Sequence, residues 1–280
     1  MMRRGTLAQL GWEAQVRAVN AVYSGYVVPL TFTEPQLETH VRCNDILLDQ
    51  SPLWRDEEGD VAALALLAVR GDRGWIGGFG VAPGRRGQGL GRELAREMLA
   101  IARRAGVAHL QLEVLTQNLP AIRTYERVGF RRTRDLRILT RAADAAAPSG
   151  AATAAPDLTD VTAAALLEHD ASARAHAPCW QRAAETLLQF EGLSGIALGE
   201  PSTPRAFAIY RARPEEVRIA DLAARDPRDL VTIATALVAR HPGRRFMIMN
   251  EPEASPVCAV LEALGFKESL RQHEMAVAIA

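Results

Sequence analysis

The chain of 280 residues has no excess of charge of either sign, because lysine plus arginine and aspartate plus glutamate number 33 each. A balanced chain has no global field that would attract nucleic acid or an anionic membrane, so we expect neither as a partner. Cysteine is scarce: Cys43, Cys179 and Cys258 are odd in number and lack the spacing of a metal site. We therefore expect no metal and a reducing, cytoplasmic location.

Long apolar runs are also missing. No stretch approaches the roughly 18 uninterrupted apolar residues of a membrane span. The basic start MMRR is followed by Glu13 and Arg17 and by no small-residue cleavage site, so we do not expect a signal peptide. Hydrophobic residues still make up 48% of the chain, which is enough for buried cores. The length favours two domains of roughly 140 residues each.

Residues 142–156, AADAAAPSGAATAAP, contain no large apolar side chain and predict a linker. On either side the sequence repeats weakly at an offset of 136 residues: NLPAIRTYERVGF (118–130) corresponds to ASPVCAVLEALGF (254–266), and GLGREL (89–94) to RDPRDL (225–230). Two matches in one register indicate a duplication. We predict a first domain at 1–141, the linker at 142–156 and a diverged copy at 157–280.

The first half reads as alternating strands and helices. VAALALLAVR and GWIGGFGV are strand candidates, and HLQLEVL alternates between two faces. Between them, Leu90, Leu94, Met98 and Ile101 have helical spacing. A second short helix is predicted to begin at Asn118, an N-cap residue, and to end at Gly129.

Glycine is concentrated just before the first of these helices, at positions 77, 78, 80, 84, 87, 89 and 91. A strand, a glycine-rich turn and a helix start form an anion site, because unpaired amides point outward and glycine lets a phosphate approach. Gly89 is followed by Leu90 and Gly91 rather than by the Lys-Ser/Thr of a Walker loop. A dinucleotide fingerprint would need glycine where Arg92 stands. The pattern that remains is RGQGLG, residues 86–91.

This pattern resembles the acyl-CoA pyrophosphate loop of the GNAT N-acetyltransferase superfamily, Gln/Arg-x-x-Gly-x-Gly/Ala, at Arg86, Gly89 and Gly91. The second signature of the family is an Asn followed seven residues later by Tyr and then by Gly-Phe. The chain resembles it at Asn118, Tyr125, Gly129 and Phe130. Together these motifs cover residues 74–130. The resemblance implies an α/β (α+β) fold of two tandem GNAT-like domains, each a mixed, mostly antiparallel sheet flanked by helices. Mycothiol synthase is one example of such a tandem arrangement.

The same resemblance implies acetyl-CoA as cosubstrate. The backbone of Phe79 and Val81 is expected to bind the pantetheine arm, and the Val81 N–H to face the oxyanion. The pyrophosphate is expected at the amides of the loop and of the first helical turn. Asn118 and Tyr125, further along the chain, are also expected to bind acetyl-CoA. The loop residues are Arg86, Gly87, Gln88, Gly89, Leu90, Gly91 and Arg92.

Acetyl transfer to an amine needs a base, because an amine with a pKa near 10.4 is mostly protonated at neutral pH. The strand before the loop contains no carboxylate, so Glu113 is the candidate, with a surface-facing glutamate as the alternative. Tyr125 matches the family position for the hydroxyl near the CoA sulfur; the alternative is an aromatic residue of the core. Tyr23 and Tyr26 are candidates for the acceptor wall, although they could simply pack.

An acidic segment, DEEGD (56–60), together with Asp45 and Asp49 could attract a cationic amine, with a solvated loop as the alternative. In the second half the offset places Leu222, Arg225, Pro227, Ala254 and Leu261 where the first half has its motif residues. This predicts a GNAT-like shape without a cofactor site.

The sequence thus predicts an N-acetyltransferase that uses direct attack by the amine of a small-molecule acceptor, with a homodimer left open. Two alternatives remain: an acyl-CoA-binding regulatory protein with weak catalysis, and a tandem transferase similar to mycothiol synthase.

Overall fold

The computed structural model describes residues 2–146, 157–168 and 174–279. The chain divides into two compact units: unit one contains Met1–Thr133 and His273–Ala280, and unit two contains Arg134–Gln272. The predicted first domain ends at residue 141, whereas unit one ends at Thr133 and gains residues from the end of the chain. The predicted second domain begins at residue 157, whereas unit two begins at Arg134. Most of the predicted linker, at 147–156, lies outside the described residues.

The strands and helices are numbered in chain order. The strands are β1 (Arg3–Thr6), β2 (Pro52–Arg55), β3 (Val61–Arg70), β4 (Arg73–Val81), β5 (His109–Leu115), β6 (Arg131–Arg141), β7 (Leu158–Thr162), β8 (Ser194–Leu198), β9 (Ala206–Ala212), β10 (Glu216–Ala224), β11 (Arg245–Pro252) and β12 (Lys267–Ala278). The helices are α1 (Trp12–Tyr23), α2 (Glu34–Cys43), α3 (Leu90–Arg104), α4 (Leu119–Glu126), α5 (Ala163–Leu167), α6 (Ala184–Leu187), α7 (Pro227–Arg240) and α8 (Pro256–Ala263).

Unit one is a sheet in the order β1-β2-β3-β4-β5, followed by the last residues of β12. The β1–β2, β2–β3 and β3–β4 pairs are antiparallel, and β4–β5 is parallel. The apolar face of α3 packs on one side of this sheet, where Leu94 and Met98 are fully buried beside Leu110 and Leu112 of β5. Met275 of β12 belongs to the same core. The sheet is therefore mixed, mostly antiparallel and flanked by helices, as the family resemblance implies.

Strands β4 and β5 pair only at their beginnings. The ladder runs from Arg73 opposite His109 to Trp75 opposite Gln111, and the described residues show no further pair between them. On the other edge of β4, the pairing with β3 shifts by one residue around Gly77, which is a β-bulge. The two parallel strands therefore diverge beyond Trp75. We call the space between them the fork of unit one.

Unit two repeats this design. Its sheet runs from the first residues of β12 through β6, β11, β10, β9 and β8 to β7. Parallel β10 and β11 pair from Glu216 opposite Arg245 to Ile219 opposite Ile248, and the pairing of β10 with β9 shifts around Ala220. The bulge at Ala220 thus stands where Gly77 stands in β4, directly before the fork of unit two.

The loop between the fork and the following helix differs between the units. In unit one it spans residues 82–89, whereas in unit two only residues 225–226 separate β10 from α7. The fixed offset of 136 is therefore wrong for this region: Leu222 is not the counterpart of Arg86 but a buried residue inside β10. The offset holds near the end of α4, because Phe130 and Phe266 donate in the same way to the carbonyls of Tyr125 and Leu261. Unit two lacks the loop itself.

The fork of unit two is filled by an arginine. Arg182 Nε donates to the Ala220 carbonyl of β10 at 2.8 Å, and its Nη1 donates to the Asn250 carbonyl of β11 at 3.4 Å. The guanidinium is ion-paired with Glu251 and lies 3.7 Å from the carboxylate of Asp221. All three side chains are at most 7% exposed. A buried charge of this kind is tolerable only when it is paired and hydrogen-bonded, as it is here.

We predict that Arg182→Met destabilises unit two by about 3–5 kcal/mol, because breaking a buried ion pair leaves the partner carboxylates in a low-dielectric site. The measurement is urea-induced unfolding followed by circular dichroism. The control is Arg218→Met, which removes an arginine whose side chain is 57% exposed and paired with Glu216; it should cost less than about 1 kcal/mol. Equal effects of the two substitutions would contradict the assignment.

Candidate active site

The glycine-rich loop of unit one presents backbone amides at the start of α3. Gly87 and Gly89 have φ angles of 77° and 88°, in the left-handed region that favours glycine. A Cβ atom at either position would meet no atom within 4 Å, so the space in front of them is open. The N–H groups from Gly87 to Gly91 donate to no backbone carbonyl in the described part of the chain. These five amides, at the positive end of the α3 dipole, can receive an anion.

The two ends of the predicted amide cradle are already engaged in local turns. The Arg86 N–H donates to the Pro83 carbonyl at 3.3 Å, and the Arg92 N–H to the Gly89 carbonyl at 3.0 Å. The structure thus places the predicted residues Gly87, Gln88, Gly89, Leu90 and Gly91 with their amides available. Leu90 is also buried through its side chain, which anchors the first turn of α3 in the core.

The side chain of Arg86 faces α1. Its Nε donates to the Val81 carbonyl at 3.0 Å, and its Nη2 donates to the carbonyls of Val22 and Ser24 at 3.1 and 2.8 Å. A cation at a helix C-terminus satisfies carbonyls that have no helical partner and interacts favourably with the helix dipole. Arg86 therefore joins the loop to the end of α1.

A second arginine of the loop is held by the acidic segment. Arg85 Nη2 donates to Asp56 Oδ2 at 2.7 Å. This hydrogen bond, together with bonds from the backbone of Asp60 and Gly59, holds the pKa of Asp56 below its ordinary value. Asp45 is likewise bound to Arg70, at 2.6 Å. The sequence left two interpretations of these acidic residues: attraction of a cationic acceptor, or a solvated loop. Neither describes Asp56 and Asp45, because each of these carboxylates binds an arginine of unit one.

Three tyrosines and a phenylalanine meet beside the fork. The ring of Tyr23, the last residue of α1, lies 5.5 Å from that of Tyr26, three residues further along the chain, and the Phe79 ring of β4 lies 5.4 Å from the ring of Tyr125 on α4. The Phe79 N–H donates to the Tyr23 hydroxyl at 3.2 Å. The Tyr26 hydroxyl is hydrogen-bonded to the side chain of Asn118. Side chains from α1, β4 and α4 therefore converge on one site.

Burial raises the pKa of these phenols. The pKa of Tyr23 rises to about 12, and that of Tyr26 also rises, in both cases mainly through desolvation. Tyr125, which is 5% exposed, has a pKa well above the ordinary value through desolvation and the proximity of the other two tyrosines. All three hydroxyls are therefore protonated at neutral pH and can act as hydrogen-bond donors.

Glu113 lies on the opposite face of β5 from the buried Leu112. The indole Nε1 of Trp75 donates to Glu113 Oε2 at 2.7 Å, and the carboxylate is half-buried. The alternative interpretation of Glu113, a surface-facing glutamate, is therefore not what the structure shows. The hydrogen bond fixes Glu113 against β4, on the sheet face that also carries α1 and α2.

His40 of α2 lies on the same face. Its Nε2 is 3.0 Å from the Gly77 carbonyl at the bulge. Since a carbonyl can only accept, Nε2 carries the proton. The ring lies 5.6 Å from Phe32 and 5.8 Å from Trp75, measured between centroids, and burial lowers its pKa. The imidazole is therefore neutral at physiological pH.

Sequence reasoning missed His40, the Arg85–Asp56 pair and the role of the Arg86 side chain. A lone histidine in a helix carries no signal, and its partner is 37 residues away. The excess of arginine in the loop was visible, but its partners were not.

Residues 19–130 match the Acetyltransferase (GNAT) family, so the chain carries a GNAT acetyltransferase domain. This confirms the resemblance deduced from RGQGLG and the Asn118–Phe130 motif and supports an acyltransferase.

Two relatives match about a quarter of the chain. The chain is 44% identical over 75 residues to the streptothricin acetyltransferase of Streptomyces lavendulae, covering 26% of this chain and 40% of that one. It is 38% identical over 74 residues to the [ribosomal protein bS18]-alanine N-acetyltransferase of Escherichia coli (strain K12), covering 26% and 50%. The chain thus spans half or less of the length of these relatives.

Solved structures resemble the chain over its whole length. A tandem GNAT protein from the clavulanic acid biosynthesis pathway superposes with a TM-score of 0.71 at 17% identity, covering 100% of this chain and 99% of the other. A GCN5-related N-acetyltransferase from Sphaerobacter thermophilus superposes with a TM-score of 0.72 at 15% identity, covering 99% and 96%. At these identities the likeness shows the fold alone, and it confirms the predicted tandem GNAT fold class.

Two further findings concern metals and membranes. Among residues 2–146, 157–168 and 174–279, no group of three or more His, Cys, Asp or Glu side chains is placed to hold a metal ion. No helix in this part of the chain is long and apolar enough to cross a membrane.

We predict that Asp56→Asn accelerates amide hydrogen exchange at Arg85 and Arg86, whose N–H groups donate to the carbonyls of Ala82 and Pro83, by about three- to tenfold, because the loop loses the ion pair between Arg85 and Asp56. The control is Asp49→Asn at an exposed position of the same region, which should leave the exchange rates unchanged.

The sign of the pH dependence follows from the lowered pKa of Asp56. A carboxylate with a depressed pKa contributes stability above about pH 4 and loses it as the pH falls further. In the wild type, loop protection corrected for intrinsic exchange should therefore stay constant from about pH 5 to 8 and fall in more acidic solution. Constant protection down to about pH 3 would contradict the role of the pair.

Proposed function

We propose that unit one transfers an acetyl group from acetyl-CoA to the amine of a small-molecule acceptor. The observation that carries this proposal is that five successive N–H groups, Gly87 to Gly91, donate to no backbone carbonyl of the described chain and lie on the loop that follows β4 of the fork. A diphosphate needs several amide hydrogen bonds in addition to the helix dipole, which alone contributes only about 0.3–2 kcal/mol. The absence of any atom within 4 Å of a Cβ placed on Gly87 or Gly89 leaves the loop open for such a group to approach.

The pantetheine arm would follow the backbone of Phe79 and Val81 into the fork. The Phe79 N–H is bound to the Tyr23 hydroxyl in this structure, so Tyr23 must release it when the arm binds. The Val81 N–H would then face the carbonyl oxygen of the thioester and stabilise the negative charge that develops there. Arg86 supports the loop through its side chain rather than contacting the diphosphate with it.

The acceptor would bind on the α1–α2 side of the sheet, where Tyr23, Tyr26 and Glu113 lie. Glu113, directly or through water, takes the proton of the ammonium group, and the neutral amine attacks the thioester carbonyl. A carbon–nitrogen bond forms, the carbon–sulfur bond breaks, and the proton that the nitrogen loses on becoming an amide passes to the departing CoA thiolate. Tyr125, whose raised pKa keeps its hydroxyl protonated at neutral pH, donates a hydrogen bond to the leaving thiolate.

Unit two would play no part in binding the cosubstrate, because it lacks the loop and Arg182 occupies its fork. The catalytic role of unit one and the degenerate character of unit two remain proposals, as do a homodimer and a cytoplasmic location. The acceptor is to be sought among small amines, with streptothricin and alanine peptides included because the two relatives are named for such acceptors.

The first test is isothermal titration of acetyl-CoA into the protein and into Gly89→Glu. This substitution places negative charge in the amide cradle, so we expect one site per chain in the wild type and none in the variant. The control, Gly71→Glu, has a left-handed φ of 59° and open space in the β3–β4 turn, so it carries similar backbone strain away from the loop. Two sites, or binding that survives in Gly89→Glu, would contradict the proposal.

The second test is Tyr125→Phe, assayed with the best acceptor found by screening. We expect kcat to fall about 10²-fold, the lower end for acid catalysis, with the KM for acetyl-CoA nearly unchanged because the ring still packs against Phe79 and Phe130. An unchanged kcat would remove Tyr125 from the chemistry. Tight acetyl-CoA binding without turnover of any acceptor would instead favour a regulatory acyl-CoA-binding protein.

A further inference from the structure

The bulge at Gly77 creates a backbone problem that a side chain must solve. A bulged residue drops out of the strand ladder, and its polar backbone groups need other partners. The fork begins at this point, so β5 does not supply them. The Gly77 carbonyl instead accepts from His40 Nε2 at 3.0 Å.

His40 is held so that this donor points at the bulge. The Phe32 and Trp75 rings contact the imidazole, and Trp75 is itself fixed by its hydrogen bond to Glu113. Asn44 Nδ2 donates to the backbone carbonyl of His40 at 2.9 Å and lies 3.4 Å from His40 Nδ1. Because the Asn44 amide is a donor, it is compatible with an unprotonated Nδ1 of His40. The ring proton of the neutral imidazole is then on Nε2.

Unit two solves the same problem with a different residue. Its bulge residue, Ala220, also accepts through its carbonyl from a side chain, here Arg182 Nε at 2.8 Å. The arginine is longer and has more donors, so it also reaches the Asn250 carbonyl on the other strand of the fork. Binding of the bulge carbonyl by a side chain is therefore common to both units, whereas filling of the fork is seen in unit two.

We propose that His40 is a positioning residue of the acetyl-CoA site. By binding the Gly77 carbonyl it keeps β4 bent away from β5, and because it reaches only one strand it leaves the fork open. Two residues further along β4, the Phe79 N–H is held by Tyr23. The segment from Gly77 to Phe79 is thus fixed from α2 and α1 rather than by β5.

The test compares two substitutions that separate the hydrogen bond from the ring. His40→Phe keeps an aromatic ring between Phe32 and Trp75 but has no donor, and His40→Gln keeps an amide donor but has no ring. The control is Thr39→Val, which removes a side-chain bond to Pro35 within α2 and does not involve β4. If the Phe variant does not fold, His40→Leu replaces it.

Acetyl-CoA affinity is the first readout, and it rests on the proposed function. We expect His40→Phe to weaken binding about tenfold, equivalent to about 1.4 kcal/mol and the size of one hydrogen bond. His40→Gln should stay within about twofold of the wild type, and so should Thr39→Val. In turnover assays the loss should appear in the KM for acetyl-CoA more than in kcat. Equal losses in the Phe and Gln variants would overturn the proposal, since they would point to packing of the ring.

The second readout needs no ligand. Amide hydrogen exchange at residues 77–79 should accelerate in His40→Phe and not in His40→Gln, because only the first variant frees the bulge. Unchanged exchange in His40→Phe overturns the positioning role even if acetyl-CoA binds. If the wild-type protein binds no acetyl-CoA, the proposed function fails, and the exchange experiment still decides the role of His40.

Discussion

The divergence of two parallel strands is the constraint on which this structure depends. Where β4 leaves β5, and where β10 leaves β11, peptide groups lose the partners that a continuous sheet would provide. Buried peptide groups cannot remain unsatisfied without a cost comparable to a lost hydrogen bond. The two units meet this demand differently. Unit one uses His40 and Tyr23 and keeps its fork available, whereas unit two uses Arg182, which binds both strands.

The loop beside the open fork follows a related logic. Its two arginines with described partners are engaged by the protein, Arg85 by Asp56 and Arg86 by the carbonyls that end α1. An anion bound at the loop would therefore meet the backbone amides and the positive end of the α3 dipole rather than the guanidinium groups of Arg85 and Arg86. Because Arg86 reaches the end of α1, the loop is also connected to the helix that carries Tyr23. The loop and Tyr23 therefore share one support.

Much of this could be predicted from sequence, because the signals are local. The apolar run of β3, the alternation of β5, the N-cap at Asn118 and the glycines of the loop each depend on a few neighbouring residues, and each appears in the structure. The roles of His40 and Arg182 depend on partners more than 35 residues away, which no periodicity reveals. The comparison of the two halves at one fixed offset failed at the loop, because the loop of unit two is shorter. Residues before the loop therefore correspond at a different offset, and the missing loop residues have no counterpart.

Unit one is discontinuous in the sequence. Its core includes Met275, and the Ile279 N–H donates to the Ala108 carbonyl, so residues from the end of β12 belong to a unit otherwise formed by the first 133 residues. Domains generally fold during synthesis from the N-terminus onward. Here the ribosome translates all of unit two before it supplies the final strand of unit one. The unit that is begun first is therefore completed last, and the nascent chain must hold an unfinished sheet edge while the second unit is being made.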